Sequence, residues 1–166
     1  FKKKILFIIL ILLAAGCSNK SPQSEKAFIS YMNILQEKGE FLQFLGHKGN
    51  DGKITEFAPY FVDSAKKIEF QIIETKEDKD RSVITILIKS PDLGYYDSLP
   101  NDPEIDFEKR VNSKIALMKE ALKQKDLKFQ EKTISVYMIY KDEQWILDSI
   151  DKNKEFIDII NHKIFS

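Results

Sequence analysis

The segment from Thr133 to Ile150 constrains the fold more than any other. Ile134, Val136, Met138 and Tyr140 recur at every second position, Lys141-Asp142-Glu143 is a short polar break, and Gln144 to Ile150 returns around Trp145. A period of two places the four alternating side chains on one face of a strand. Two such runs joined by a tight polar turn read as an antiparallel hairpin. An isolated hairpin is barely stable in water, so the rest of the chain must supply more strands or helices to cover that apolar face.

It supplies both. Ile68, Phe70 and Ile72 alternate with polar residues, and Val83 to Ile88 is a denser run with Ile84, Ile86 and Ile88 on one face and Val83 and Leu87 on the other. Lys76 to Arg81, all charged, reads as the loop of a first hairpin. Phe28, Tyr31, Met32 and Leu35 fall at helical spacing, with Phe41, Leu42 and Leu45 extending the stripe. Ser24 is placed to cap this helix, Gly39 to break it and Gly46 to end it. Phe57, Tyr60, Phe61 and Ala65 predict a second short helix, with Pro59 in its first turn where a missing N–H does no harm. Phe107, Val111, Ile115, Met118 and Leu122 form the stripe of a third, which Asp106 can cap. Phe156, Ile159 and Ile160 mark a short last helix. The expected fold class is α+β, an antiparallel sheet of two hairpins packed by helices.

The N-terminus has a different character. Lys2, Lys3 and Lys4 precede an apolar run from Ile5 to Leu13, followed by Ala14-Ala15-Gly16-Cys17. This is the layout of a secretory signal peptide, and the apolar run is too short to span a bilayer, which takes about 20 residues. Leu13-Ala14-Ala15-Gly16-Cys17 resembles a bacterial lipobox. The resemblance implies cleavage before Cys17, a lipid on its sulfur and attachment to the membrane of the cell envelope. Residues 1–16 are then the signal peptide, 17–24 the lipidated cysteine and a polar tether containing Pro22, and 25–166 one domain.

Charge and composition exclude several functions. The chain has 26 basic and 26 acidic residues, and losing Lys2, Lys3 and Lys4 with the leader leaves 23 against 26. No net positive charge favours a nucleic acid. Cys17 is the only cysteine, so disulfides and thiol catalysis are not expected once it is lipidated. His47 and His162 are far apart and argue against zinc. No Gly-x-Ser-x-Gly, phosphate-binding loop or His-Glu-x-x-His is present, and no cofactor is expected.

The second hairpin, Val136-Tyr137-Met138-Ile139-Tyr140-Lys141-Asp142-Glu143-Gln144-Trp145-Ile146-Leu147-Asp148, is similar to the strand, turn and tryptophan ending of NTF2-like, cystatin-like lipoproteins. Ser90-Pro91-Asp92-Leu93 and Glu155-Phe156-Ile157-Asp158 resemble segments that follow the two hairpins there. Here Glu143 or Gln144 replaces the usual turn glycine, and Ile146 the usual lysine. The resemblance implies helices over the concave face of a strongly curved sheet. Some NTF2-like enzymes use a buried Asp–His pair, for which neither histidine is expected on a core strand.

The candidate sites follow from this frame. Phe57, Tyr60, Phe61, Phe70, Tyr137, Tyr140 and Trp145 could line a pocket beneath the helices, although packing alone accounts for their spacing. Tyr95 and Tyr96, in the irregular stretch from Ser90 to Asp106, are candidates for a surface contact. Asn50-Asp51-Gly52 mimics part of a calcium loop, but that register puts His47, Gly49 and Ala58 where oxygen ligands are needed. His47 and His162 are expected at the surface. The expected function is a non-catalytic binding or interaction module, holding a small apolar ligand or an envelope protein. A small enzyme with a polar pocket and a structural accessory of the envelope are the alternatives.

Overall fold

A computed structural model describes residues 21–46, 58–93 and 106–162, with the backbone alone for residues 58–61. Four strands form one antiparallel sheet in the order β1 (Glu69–Asp78), β2 (Arg81–Pro91), β3 (Phe129–Lys141), β4 (Gln144–Leu147). Helices α1 (Gln23–Lys38), α2 (Ala58–Ala65), α3 (Phe107–Leu122) and α4 (Lys154–Asn161), with a 3-10 turn at Leu42–Leu45, complete an α+β fold.

The alternation locates the core. Ile84, Ile86, Ile88, Ile134, Val136 and Met138 are at most 3% exposed and share the inner face. Phe28, Met32 and Leu35 of α1, Phe44 of the 3-10 turn and Phe156, Ile159 and Ile160 of α4 close over them. Phe28 packs edge-on against Phe44 and Phe70 at centroid separations of 6.0 and 5.7 Å, and 5.7 Å from Phe156. These rings pack against one another beneath α1 and α4. A smaller cluster joins Leu93 to Val111, Ile115, Met118, Ala121 and Leu122 of α3. Phe107, placed by its spacing on that stripe, is 57% exposed and lies beside Arg110 instead.

The start of α1 differs from expectation. Pro22 is the cap residue and offers no side-chain hydrogen bond. Ser24 lies inside the first turn, and both its N–H and its hydroxyl donate to Glu77 Oε2, at 2.7 and 2.5 Å. A carboxylate on a strand 53 residues away thus satisfies a donor that a cap would have satisfied locally. The charged loop is correspondingly shorter. The ladder runs on through Lys76↔Val83, Glu77↔Ser82 and Asp78↔Arg81, leaving Lys79-Asp80 as the turn. Side-chain charge does not stop strand pairing where the side chains reach water. Gly39, expected to break the helix, ends α1 outright at φ 68°, with its N–H on the Leu35 carbonyl, and Gly46, expected to end that helix, ends the separate 3-10 turn. Asp106 precedes α3 without a capping side-chain bond.

The second hairpin turns at Asp142 and Glu143, with φ of 51° and 63°, a geometry that more often recruits Asn-Gly. The return strand stops at Leu147, short of Ile150. Beyond it, Asn153 takes the place of a neighbouring strand. Its Oδ1 accepts the Tyr137 N–H at 2.8 Å, and its Nδ2 donates to the Tyr137 carbonyl at 2.9 Å. A bulge between Ile72 and Glu74 leaves Ile73 56% exposed on the edge strand β1.

Candidate functional site

The residues nominated as a pocket do not converge. Trp145, 6% exposed, belongs to the core. Phe70 packs at the core margin against Phe28. Tyr137 lies opposite Val83 on the outer face of the sheet, because its position is odd in an alternation whose even members face inward. Tyr60 and Phe61 fall in α2, where the backbone alone is described. Cys17, His47, Phe57, Tyr95 and Tyr96 lie outside the described residues.

Two of the nominated residues do meet at an open groove of about 590 Å³ between α1 and the turn end of the sheet. Gln23, Ala27 and Tyr31, four residues apart, form one wall from a single face of α1. Tyr140, Gln144 and Trp145 form the other, and Glu77 and Lys79 of the first hairpin close one end. Tyr140 and Trp145 rings sit 5.5 Å apart, tilted by 56°. Tyr140 is on the inward-facing register, yet 47% exposed, because it lies where the helices no longer cover the sheet.

Hydrogen bonds fix the walls. The Tyr31 hydroxyl donates to the Trp145 carbonyl at 2.5 Å, tying α1 to β4 across the groove floor. Burial pushes the Tyr31 phenol above its ordinary value, so it stays protonated as a donor. At Glu77, partial desolvation works upward, but hydrogen bonds from the Ser24 hydroxyl and from the Ser24 and Gln23 backbone outweigh it and hold the carboxyl below its usual range. The groove thus combines a half-exposed aromatic ring, fixed polar groups and a rim of both charges, including Lys26. Sequence reasoning placed Tyr31 on a core stripe and Glu77 in a loop. Only the four-residue spacing of Gln23, Ala27 and Tyr31 hinted at the wall.

A second polar feature is internal. His162, expected at the surface, is 5% exposed, and its Nε2 is hydrogen-bonded to the hydroxyl of Ser64, itself 1% exposed. The residue ends α4 in the left-handed conformation, at φ 51°, which turns its ring inward against α2. Burial lowers its pKa to about 4, so it is neutral near pH 7. Among the described residues no group of three or more His, Cys, Asp and Glu could hold a metal, and no helix is long and apolar enough to cross a membrane.

No family model matches the chain, and no curated protein matches it. Among solved structures the chain is similar to a Bacillus subtilis protein, ycdA, described as a "putative lipoprotein", at 20% identity and a TM-score of 0.48. The likeness covers 82% of this chain, which spans 55% of the length of that one. At that level it carries no argument about the site.

Proposed function

We propose that this chain is an exported, lipid-anchored and non-catalytic binding module. It engages a protein partner through the groove of Tyr31, Tyr140 and Trp145. The observation that carries this reading is the contrast, among the described residues, between a ring-packed core and an open groove. Phe28, Phe44 and Phe156 occupy the space beneath the helices, where a small apolar ligand would need to sit. The groove beside them offers an aromatic surface with a charged rim, which suits a side chain presented by another protein better than a sealed ligand. The lipobox-like Cys17 supports the membrane attachment, and the order of helices and hairpins is compatible with the NTF2-like resemblance.

Photo-crosslinking in the host tests the groove. A crosslinking residue at Lys26, on the rim, is expected to give one discrete adduct that disappears with Tyr140→Ala. The same residue at Leu117, exposed on α3, gives none. An adduct that persists in the Tyr140 variant defeats the reading. For the anchor, Cys17→Ser is expected to move the protein out of the detergent phase in a partitioning assay.

One observation favours the enzymatic alternative. Ser64 and His162 make the hydroxyl–imidazole contact that activates a serine nucleophile. Both are sealed from solvent, which supports a packing role instead. Labelling of Ser64 by a fluorophosphonate would reverse that preference.

A further inference from the structure

A second groove, of about 810 Å³, opens where the C-terminal ends of α2 and α3 meet. Lys66 and Lys67, directly after α2, line one side. Lys119 of α3 and Lys123, the residue that caps its end, line the other, and Ala116 and Leu122 contribute apolar surface between them. Among the described residues the acids on its lining are Asp63 and Glu120, and Glu120 is paired with Lys123 at 2.8 Å. The volume lies within the roughly 300–1,000 Å³ typical of small-ligand sites.

The lysines are more than the helices require. A helix C-terminus carries about half a negative charge, and one lysine near each end offsets it. With Glu120 paired to Lys123 and Asp63 on the same lining, four lysines against two acids still leave two positive charges, about one more than the two helix ends offset. The chain as a whole is neutral, so composition does not force the crowding. A bound anion would relieve it.

We propose that this groove binds a phosphate-bearing anion, supplied by a soluble polyanion rather than by a lipid headgroup. The choice of source follows from position. The groove lies at the end of the sheet where β1 begins and β2 ends, next to Lys66, Lys67 and Ile68. The start of α1 is held at the opposite end by Glu77 and Ser82. Strand β1, ten residues long, separates these ends by about 30 Å. Six residues from Cys17 to Gln23 reach at most about 20 Å, so a lipid on Cys17 holds the opposite end near the membrane and leaves this groove facing away. The orientation rests on the lipid-anchor reading; the anion site does not.

The test uses the full chain in an uncharged detergent, titrated with inorganic polyphosphate at low salt. Saturable binding is expected, weakened about tenfold or more by Lys67→Glu with Lys119→Glu, less by the corresponding glutamine pair, and progressively by added salt. Lys76→Glu, exposed near the other end of β1, should leave it unchanged. No binding at low salt, or equal loss with Lys76→Glu, overturns the site. In a parallel arm, the same chain is mixed with phosphatidylglycerol vesicles. Vesicle attachment that depends on Lys67 and Lys119 would assign the headgroup as source and overturn the soluble one. Failure of Cys17→Ser to alter partitioning would remove the anchor while leaving the polyphosphate result standing.

Discussion

Mild acid should destabilise this protein through His162. The imidazole is buried against Ser64, and its pKa falls from 6.5 to about 4 because burial disfavours the charged form. The unfolded chain binds the proton first as pH drops. The stability tied to the neutral ring is therefore complete above pH 6.5 and is lost progressively as pH falls from 6.5 towards 4. At 1.36 kcal/mol per pKa unit, the whole window is worth about 3 kcal/mol, and roughly 2 kcal/mol is gone by pH 5. Glu77 does not confuse the measurement. Its lowered pKa makes its own contribution fade only as pH falls below the ordinary carboxylate range, under pH 5. Urea unfolding of wild type and His162→Gln at pH 7.5 and pH 5.0 reads the effect. Wild type should lose about 2 kcal/mol more than the variant between the two pH values. Equal losses would refute the claim that a buried neutral imidazole is part of the folded state.

Three further perturbations test other joints of the fold. Asn153→Ala removes the acceptor of the Tyr137 N–H, while the Tyr137 carbonyl keeps the Asp148 N–H, and leaving that N–H unpaired should cost about 1–3 kcal/mol in urea unfolding. Glu77→Ala deprives the start of α1 of its acceptor and should cost about 1 kcal/mol, with lower helical content by circular dichroism. Gly46→Ala forces a non-glycine residue to φ 78° and brings its Cβ to 3.0 Å from Gln144 Nε2 and 3.2 Å from Ile146 Cγ2, so the thermal midpoint should fall, by about 1–2 kcal/mol in stability.

Periodicity made the core legible. Ile84, Ile86, Ile88, Ile134, Val136 and Met138 were assignable to one face because a strand repeats every two residues, and the described helices α1 and α4 close over that face. Phe28, Met32 and Leu35 followed from the helical repeat. What the pattern could not carry were contacts between residues distant in sequence. Nothing near Ser24 announces that Glu77 will accept its N–H, and nothing near His162 announces Ser64. Tyr140 shows the same limit within one strand. Alternation assigns its face correctly, but how far the helices extend over that face decides its exposure. The groove is legible only in part for this reason, since Tyr31, Glu77, Lys79 and Tyr140 come from three separate segments.

A ring-packed core beside an open groove places binding at the groove rather than inside the domain. Native mass spectrometry of the protein purified gently from its host envelope tests the first half, and crosslinking from Lys26 tests the second on the same sample. The expected result is no stoichiometric small-molecule adduct, together with one discrete Lys26-dependent protein adduct that Tyr140→Ala abolishes. A stoichiometric apolar adduct that survives Tyr140→Ala would contradict it, because such a ligand would have to occupy the space assigned here to Phe28, Phe44 and Phe156.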